Sequence, residues 1–114
     1  RWLTRELAQR YPGVEFTTFF GAKEGKDWLN MAAALEPVVR ELHLISDQEN
    51  YLLEPGSMVP DLKARFHRPV HVAGESLETL LNNVERPTLV AGSLYLVGDA
   101  FRALHMEESL KKLR

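Results

Sequence analysis

Residues 19–28, Phe-Phe-Gly-Ala-Lys-Glu-Gly-Lys-Asp-Trp, place two glycines, a lysine and an aspartate directly after an apolar run. Glycine lets a backbone come close to a ligand and lysine supplies a cation, so the chemistry this stretch could do is phosphate binding. A phosphate-cradling loop needs four residues between its glycines to wrap the anion, and a Ser or Thr after the lysine to hold Mg²⁺. Here only Ala22, Lys23 and Glu24 separate Gly21 from Gly25, and Asp27 follows Lys26. A carboxylate at that point repels phosphate. The segment is not a phosphate loop in its own right. It reads as a strand-to-helix turn with Asp27 as the N-cap, or as such a turn that also points the Lys26 cation into a cleft.

A second candidate is Gly92-Ser-Leu-Tyr-Leu-Val-Gly98. Gly92 permits close backbone approach, and the N–H groups of a following helical turn suit a carboxylate or phosphate. Ser93 could cap that helix or donate to a ligand, and its chemistry alone does not choose. The histidines read as solvated or hydrogen-bonded surface residues. Pro69 prevents His67 and His71 from sharing one helical face as a zinc pair, His43 alternates with Leu42 and Leu44, and His105 follows apolar helix positions. No Ser/His/Asp order and no close carboxylate pair stands out.

These residues need elements to hold them. Leu3, Leu7 and Tyr11 form one helical stripe, stopped by Pro12-Gly13. Residues 14–20 are rich in β-branched and aromatic side chains and read as a buried strand. Trp28, Met31 and Leu35 give a second helix, residues 41–46 a second strand, and Pro60 opens a third helix after a polar loop over 47–57. Residues 69–73 form a short strand, and Ser76 caps a helix carrying Leu77, Leu80, Leu81 and Val84. Residues 88–91 form a fourth strand, and a last helix carries Leu94, Val97, Phe101 and Leu104.

Helix and strand alternate without a tight hairpin signal. That order calls for an α/β, Rossmann-like three-layer domain: a mostly parallel sheet with helices on both faces. Ligands of such sheets sit at the carboxyl ends of the strands. The loops at 21–26, 47–57 and 92–95 are therefore the ones to watch.

Composition sets the outer limits. A chain of 114 residues fits one domain, 1–114, and 45% apolar residues are enough for a core. Net charge is −2 with no Lys/Arg block, so nucleic acid is not an expected partner. No apolar run approaches the ~18 residues of a membrane span, so no membrane partner is expected either. The absence of cysteine rules out disulfides, zinc thiolates and a thiol nucleophile, and fits a reducing compartment.

Two segments carry a resemblance. One is a strand ending in Phe20-Gly21, followed by a short variable loop and Lys26-Asp27 at a helix start. The other is Gly-Ser-Leu-Tyr-Leu-Val-Gly at 92–98 after a strand. With the order of elements, they resemble the C-terminal domain of folylpolyglutamate synthase/dihydrofolate synthase, a branch of the Mur ligase superfamily. The likeness spans essentially the whole chain.

What this resemblance implies is a cytoplasmic, ATP-dependent ligase that joins a folate carboxylate to the amine of glutamate through an acyl phosphate. A domain of this type closes over a larger N-terminal ATP-binding domain of the same parent chain. It supplies part of the glutamate site and one wall of the ATP site. By position, Lys26, Asp27 and Ser93 match family residues on the glutamate side. No catalytic residue and no metal ligand is carried over. ATP and Mg²⁺ belong mainly to the other domain, so no cofactor and no ligase activity are expected of 1–114 alone.

Gly25 stands where the family usually has an Asp, and Pro55-Gly56-Ser57 where a Pro-Arg-Ala-like turn is common. The family's ATP-contacting Asp-Gly-Ala-His-Asn motif would precede Arg1. Loss of the strand that leads into the first helix would expose apolar sheet, so self-association of an isolated 1–114 is expected. A second reading stays open: a non-catalytic α/β binding module that has lost ligase function.

Overall fold

The computed structural model describes residues 2–25, 27–46 and 52–92. Their order is α1 (Trp2–Arg10), β1 (Phe16–Gly21), α2 (Trp28–Leu35), β2 (Val39–Leu44), α3 (Pro55–Arg65), β3 (Val70–Val72), α4 (Leu77–Asn82) and β4 (Thr88–Gly92), with a 3₁₀ turn at Glu36–Val38 between α2 and β2. The strands form one sheet in the order β3-β2-β1-β4. Every pairing in it is parallel. The α/β class expected from the alternation of elements is what the chain adopts. The helix expected over Leu94–Leu104 lies outside the described residues.

β1 is central, and its side chains alternate between two cores. Phe20 packs with Ala32 and Leu35 of α2, Met58 and Leu62 of α3, and Leu42, Leu44 and Ala91 of the neighbouring strands. Phe19 points the other way, to Leu77 and Leu81 of α4 together with Ile45 and Leu52. The sheet thus separates α2 and α3 from α4. Phe20, Leu42, Leu44 and Leu62 are fully buried. Each such side chain is worth roughly 1.5–3 kcal/mol in water-exclusion terms. Thr18 is buried as well, and its hydroxyl donates to the Phe16 carbonyl at 3.1 Å, so no polar atom is stranded there. α1 attaches to α2 through a Thr4 hydroxyl bond to the Ala34 carbonyl (2.6 Å), and Tyr11, just after α1, packs edge-to-face on Phe16 at the start of β1.

One irregularity sets the phase of β2. Phe16 pairs with Val39, but Thr17 pairs with Glu41, so Arg40 is a bulged extra residue. Val39 and Leu42 therefore both enter the α2–α3 core.

Two helix boundaries depart from the sequence pattern. α3 begins at Pro55 rather than near Pro60, which lies inside the helix. The start is fixed by Glu54, whose carboxylate accepts from the Gly56 and Ser57 amides at 2.9 and 3.0 Å. Pro55 then occupies the first helical position, where its missing N–H costs nothing. α4 stops at Asn82, so Val84 is not part of the helix and is 42% exposed. Its expected cap holds: Ser76 Oγ accepts from the Thr79 amide at 3.2 Å.

Candidate functional site at the carboxyl ends of β1 and β4

β1 leads through α2 on one face to β2, whereas β4 is reached from β3 through α4 on the opposite face. The boundary between β1 and β4 is thus a topological switch point, where crevices open at the carboxyl ends of strands. Gly21 and Gly92 form the last pair of that ladder. Gly92 has φ +112, and a Cβ built on it would collide with the carbonyl oxygen of Gly21. Only glycine fits there. β1 and β4 thus end side by side at Gly21 and Gly92.

The first loop is stitched to the segment before α3. The Leu53 amide donates to the Ala22 carbonyl at 2.7 Å, and Lys23 forms an antiparallel bridge with Leu52. Ala22 and Leu52 are buried, which anchors the loop base while Lys23, Glu24 and Gly25 remain exposed. Gly25 adopts φ +85 with open space around it, so the turn needs its conformation rather than its small size. The loops at 21–26 and 47–57, read separately in the sequence, are brought together at this point.

Asp27 occupies the N-cap position of α2, but its side chain makes no cap hydrogen bond. This corrects the expectation of a capping carboxylate. Its φ/ψ of −79/61 is not the extended geometry a capping side chain needs. Asp27 Oδ2 instead accepts from Asn30 Nδ2 at 2.9 Å, and the group stays exposed. An exposed carboxylate steadied by an amide at a strand's carboxyl end suits an ammonium or a backbone donor. Lys26 and Ser93, the other two residues of interest, lie outside the described residues. Lys23 is a further cation of the same loop that the Gly-Lys pattern drew attention away from.

Among the described residues, no group of three or more His, Asp or Glu side chains could hold a metal ion. No helix among them is long and apolar enough to cross a membrane.

The histidines are less isolated than their sequence positions suggest. Glu36 accepts from the His67 amide at 2.9 Å and lies 3.3 Å from its ring Nδ1. That backbone bond is the main reason its carboxyl sits below the ordinary range. His43 and His71 face each other across β2 and β3 with Glu41 beside both. Sequence spacing gives no sign of this, because the pairing spans a whole helical crossover.

No family model matches the chain, and no curated protein matches it in sequence. A solved structure does match: Helicobacter pylori folylpolyglutamate synthetase, at a TM-score of 0.70 and 15% identity, over 92% of this chain and 26% of that one. This chain spans about a quarter of that protein's length, and at this identity the likeness is one of fold. The fold seen here is shared with part of a folylpolyglutamate synthetase.

Proposed function

We propose that the chain is a C-terminal-type domain of an ATP-dependent folate:glutamate amide ligase, contributing part of the glutamate and ATP sites to a cleft between domains. The observation that carries this reading is the Gly21–Gly92 pair at the switch point. It puts the end of β1, six residues before Asp27, beside the end of β4. On this reading Asp27, steadied by Asn30, faces the ammonium of the incoming glutamate, and Lys26 faces a carboxylate. ATP and Mg²⁺ are held by the larger domain, and the described residues contain no metal-ligand cluster of their own.

The test compares ATP consumption, with glutamate and a folate present, by residues 1–114 and by the longer parent chain. Turnover confined to the parent supports the reading. Turnover by 1–114 alone, or none by the parent, overturns it. The second reading, a binding module without ligase function, has one observation in its favour. Gly25 presents no side chain to the cleft at the position where the family usually has an aspartate.

A further inference from the structure

Glu41, His43 and His71 form a cluster that the cleft between β1 and β4 does not use. His43 and His71 are direct partners in the β2–β3 ladder, their rings stacked with centroids 5.0 Å apart and planes 25° from parallel. Glu41 reaches both, with Oε1 3.3 Å from His43 Nε2 and Oε2 3.5 Å from His71 Nε2. On its other side His43 meets the Phe19 ring edge-on at 5.8 Å, which fixes the imidazole in place. Glu41 and His43, two residues apart beyond the bulge, share this face by the alternation of the strand.

β3 is a short edge element. It has three residues, lies at the sheet edge, and has His71 as its middle residue. Its flanks are tied to β2 by Leu42 N–H to Pro69 O at 2.9 Å and Ala73 N–H to Leu44 O at 3.0 Å. We propose that Glu41, bridging His43 and His71, is a proton-operated latch that fastens edge strand β3 to β2 more firmly in mild acid.

Histidine is the side chain whose ordinary charge change falls between about pH 5 and 8. With both rings protonated, what crosses the β2–β3 seam is one attraction, Glu41 to His71 at 3.5 Å, against one longer repulsion, His43 to His71 at 5.0 Å between centroids. At any common dielectric constant the attraction wins. Neighbouring charges are mixed: the Arg40 and Arg86 cations oppose a positive charge on the rings, and Glu75 and Glu85 favour it. Arg40 lies near Glu41 and favours its anion. The groove of about 490 Å³ that His43 also lines contains Glu75, Glu85 and Arg86, two carboxylates against one guanidinium. Its other polar groups, Thr17, Thr88 and Asn83, are uncharged. The hydrogen bond from His43 holds the Glu41 carboxyl below its ordinary range, so the bridge stays anionic while the rings charge. An opened latch would bare the β2 backbone edge, a surface to which other strands add.

The experiment is amide hydrogen exchange of residues 70–73, corrected for intrinsic rates, at about pH 7.5 and about pH 5.5 on either side of the ordinary imidazole range. Protection in the unsubstituted chain rises by up to about fivefold on acidification, the range that one half-exposed ion pair supplies. Glu41→Gln reverses the sign, because two imidazolium rings then face each other without an anion. His71→Gln, a change at an exposed edge position, removes the rise. Equal protection at both pH values, or a rise that survives in either variant, overturns the proposal.

Discussion

Gly92 stands directly opposite Gly21 in the β1–β4 ladder, with no room for a side chain between its Cα and the Gly21 carbonyl. The two backbones therefore meet at this end of the sheet with no side chain between them. Gly92→Ala must move one strand away from the other and also hold alanine at φ +112. We expect a loss of roughly 2–5 kcal/mol, the sum of backbone strain and overpacking. Urea unfolding measures it, and a loss below about 1 kcal/mol would show that the two strands part easily here.

Glu54 holds the first turn of α3 by accepting two backbone amides. Glu54→Ala leaves both amides without their partner and should cost about 0.5–2 kcal/mol. Glu54→Gln, which keeps one acceptor, should lose less. Both follow from chemical unfolding midpoints at constant m-value.

The acid side of the stability profile should bear the mark of Glu36 and Glu41. Both carboxyls sit below their ordinary range, Glu36 chiefly through the His67 amide and Glu41 chiefly through the His43 ring. A depressed folded-state pKa adds stability that is complete above the unfolded carboxylate value and is lost as pH falls through the folded one. Unfolding midpoints should thus decline below about pH 4.5, where unfolded carboxylates begin to bind protons. Glu36→Gln should flatten that decline, and an unchanged slope would contradict the assignment.

The Asp27 side chain is exposed and, among the described residues, bonds Asn30, so Asp27→Ala should change stability by no more than about 0.5 kcal/mol. If the cleft takes glutamate, the same change in the parent chain should raise the KM for glutamate roughly tenfold, the equivalent of one charge-assisted hydrogen bond. Asn30→Ala should produce a smaller rise in the same direction. A fall in stability with no effect on KM would assign Asp27 to the fold alone.

Gly25 offers the converse experiment. Its φ of +85 is strained for side chains, but nothing lies within 4 Å of a built Cβ. Aspartate tolerates the left-handed region better than most residues, so Gly25→Asp should cost only about 1 kcal/mol. Under the ligase reading it supplies a polar side chain that the loop lacks, and parent-chain turnover should increase. No gain, with folding intact, would favour the binding-module reading.

Local signals carried the sheet-and-helix order well. Ser76 with Leu77, Leu80 and Leu81 is a complete helix start in one stretch, and the structure repeats it. The β-branched and aromatic run around Phe19 and Phe20 became the central strand for the same reason. What failed depended on competition or on distance. Pro60 and Pro55 both suit a first helical turn, and Glu54, an uncommon capping residue, decides between them. Asp27 has the right type for a cap but meets Asn30 first. The meeting of His43 with His71, and of Ala22 with Leu53, requires the crossover topology before it has any meaning.

The bulge at Arg40 works as a parity element. One residue counted or omitted there decides which half of β2 meets oil and which meets water. Removing Arg40 would ask the strand either to turn Leu42 and Leu44 outward or to give up Val39. A deletion or insertion of one residue inside β2, between Val39 and Leu42, would therefore set the two ends of the strand on conflicting faces. An even-numbered change would keep the strand in phase.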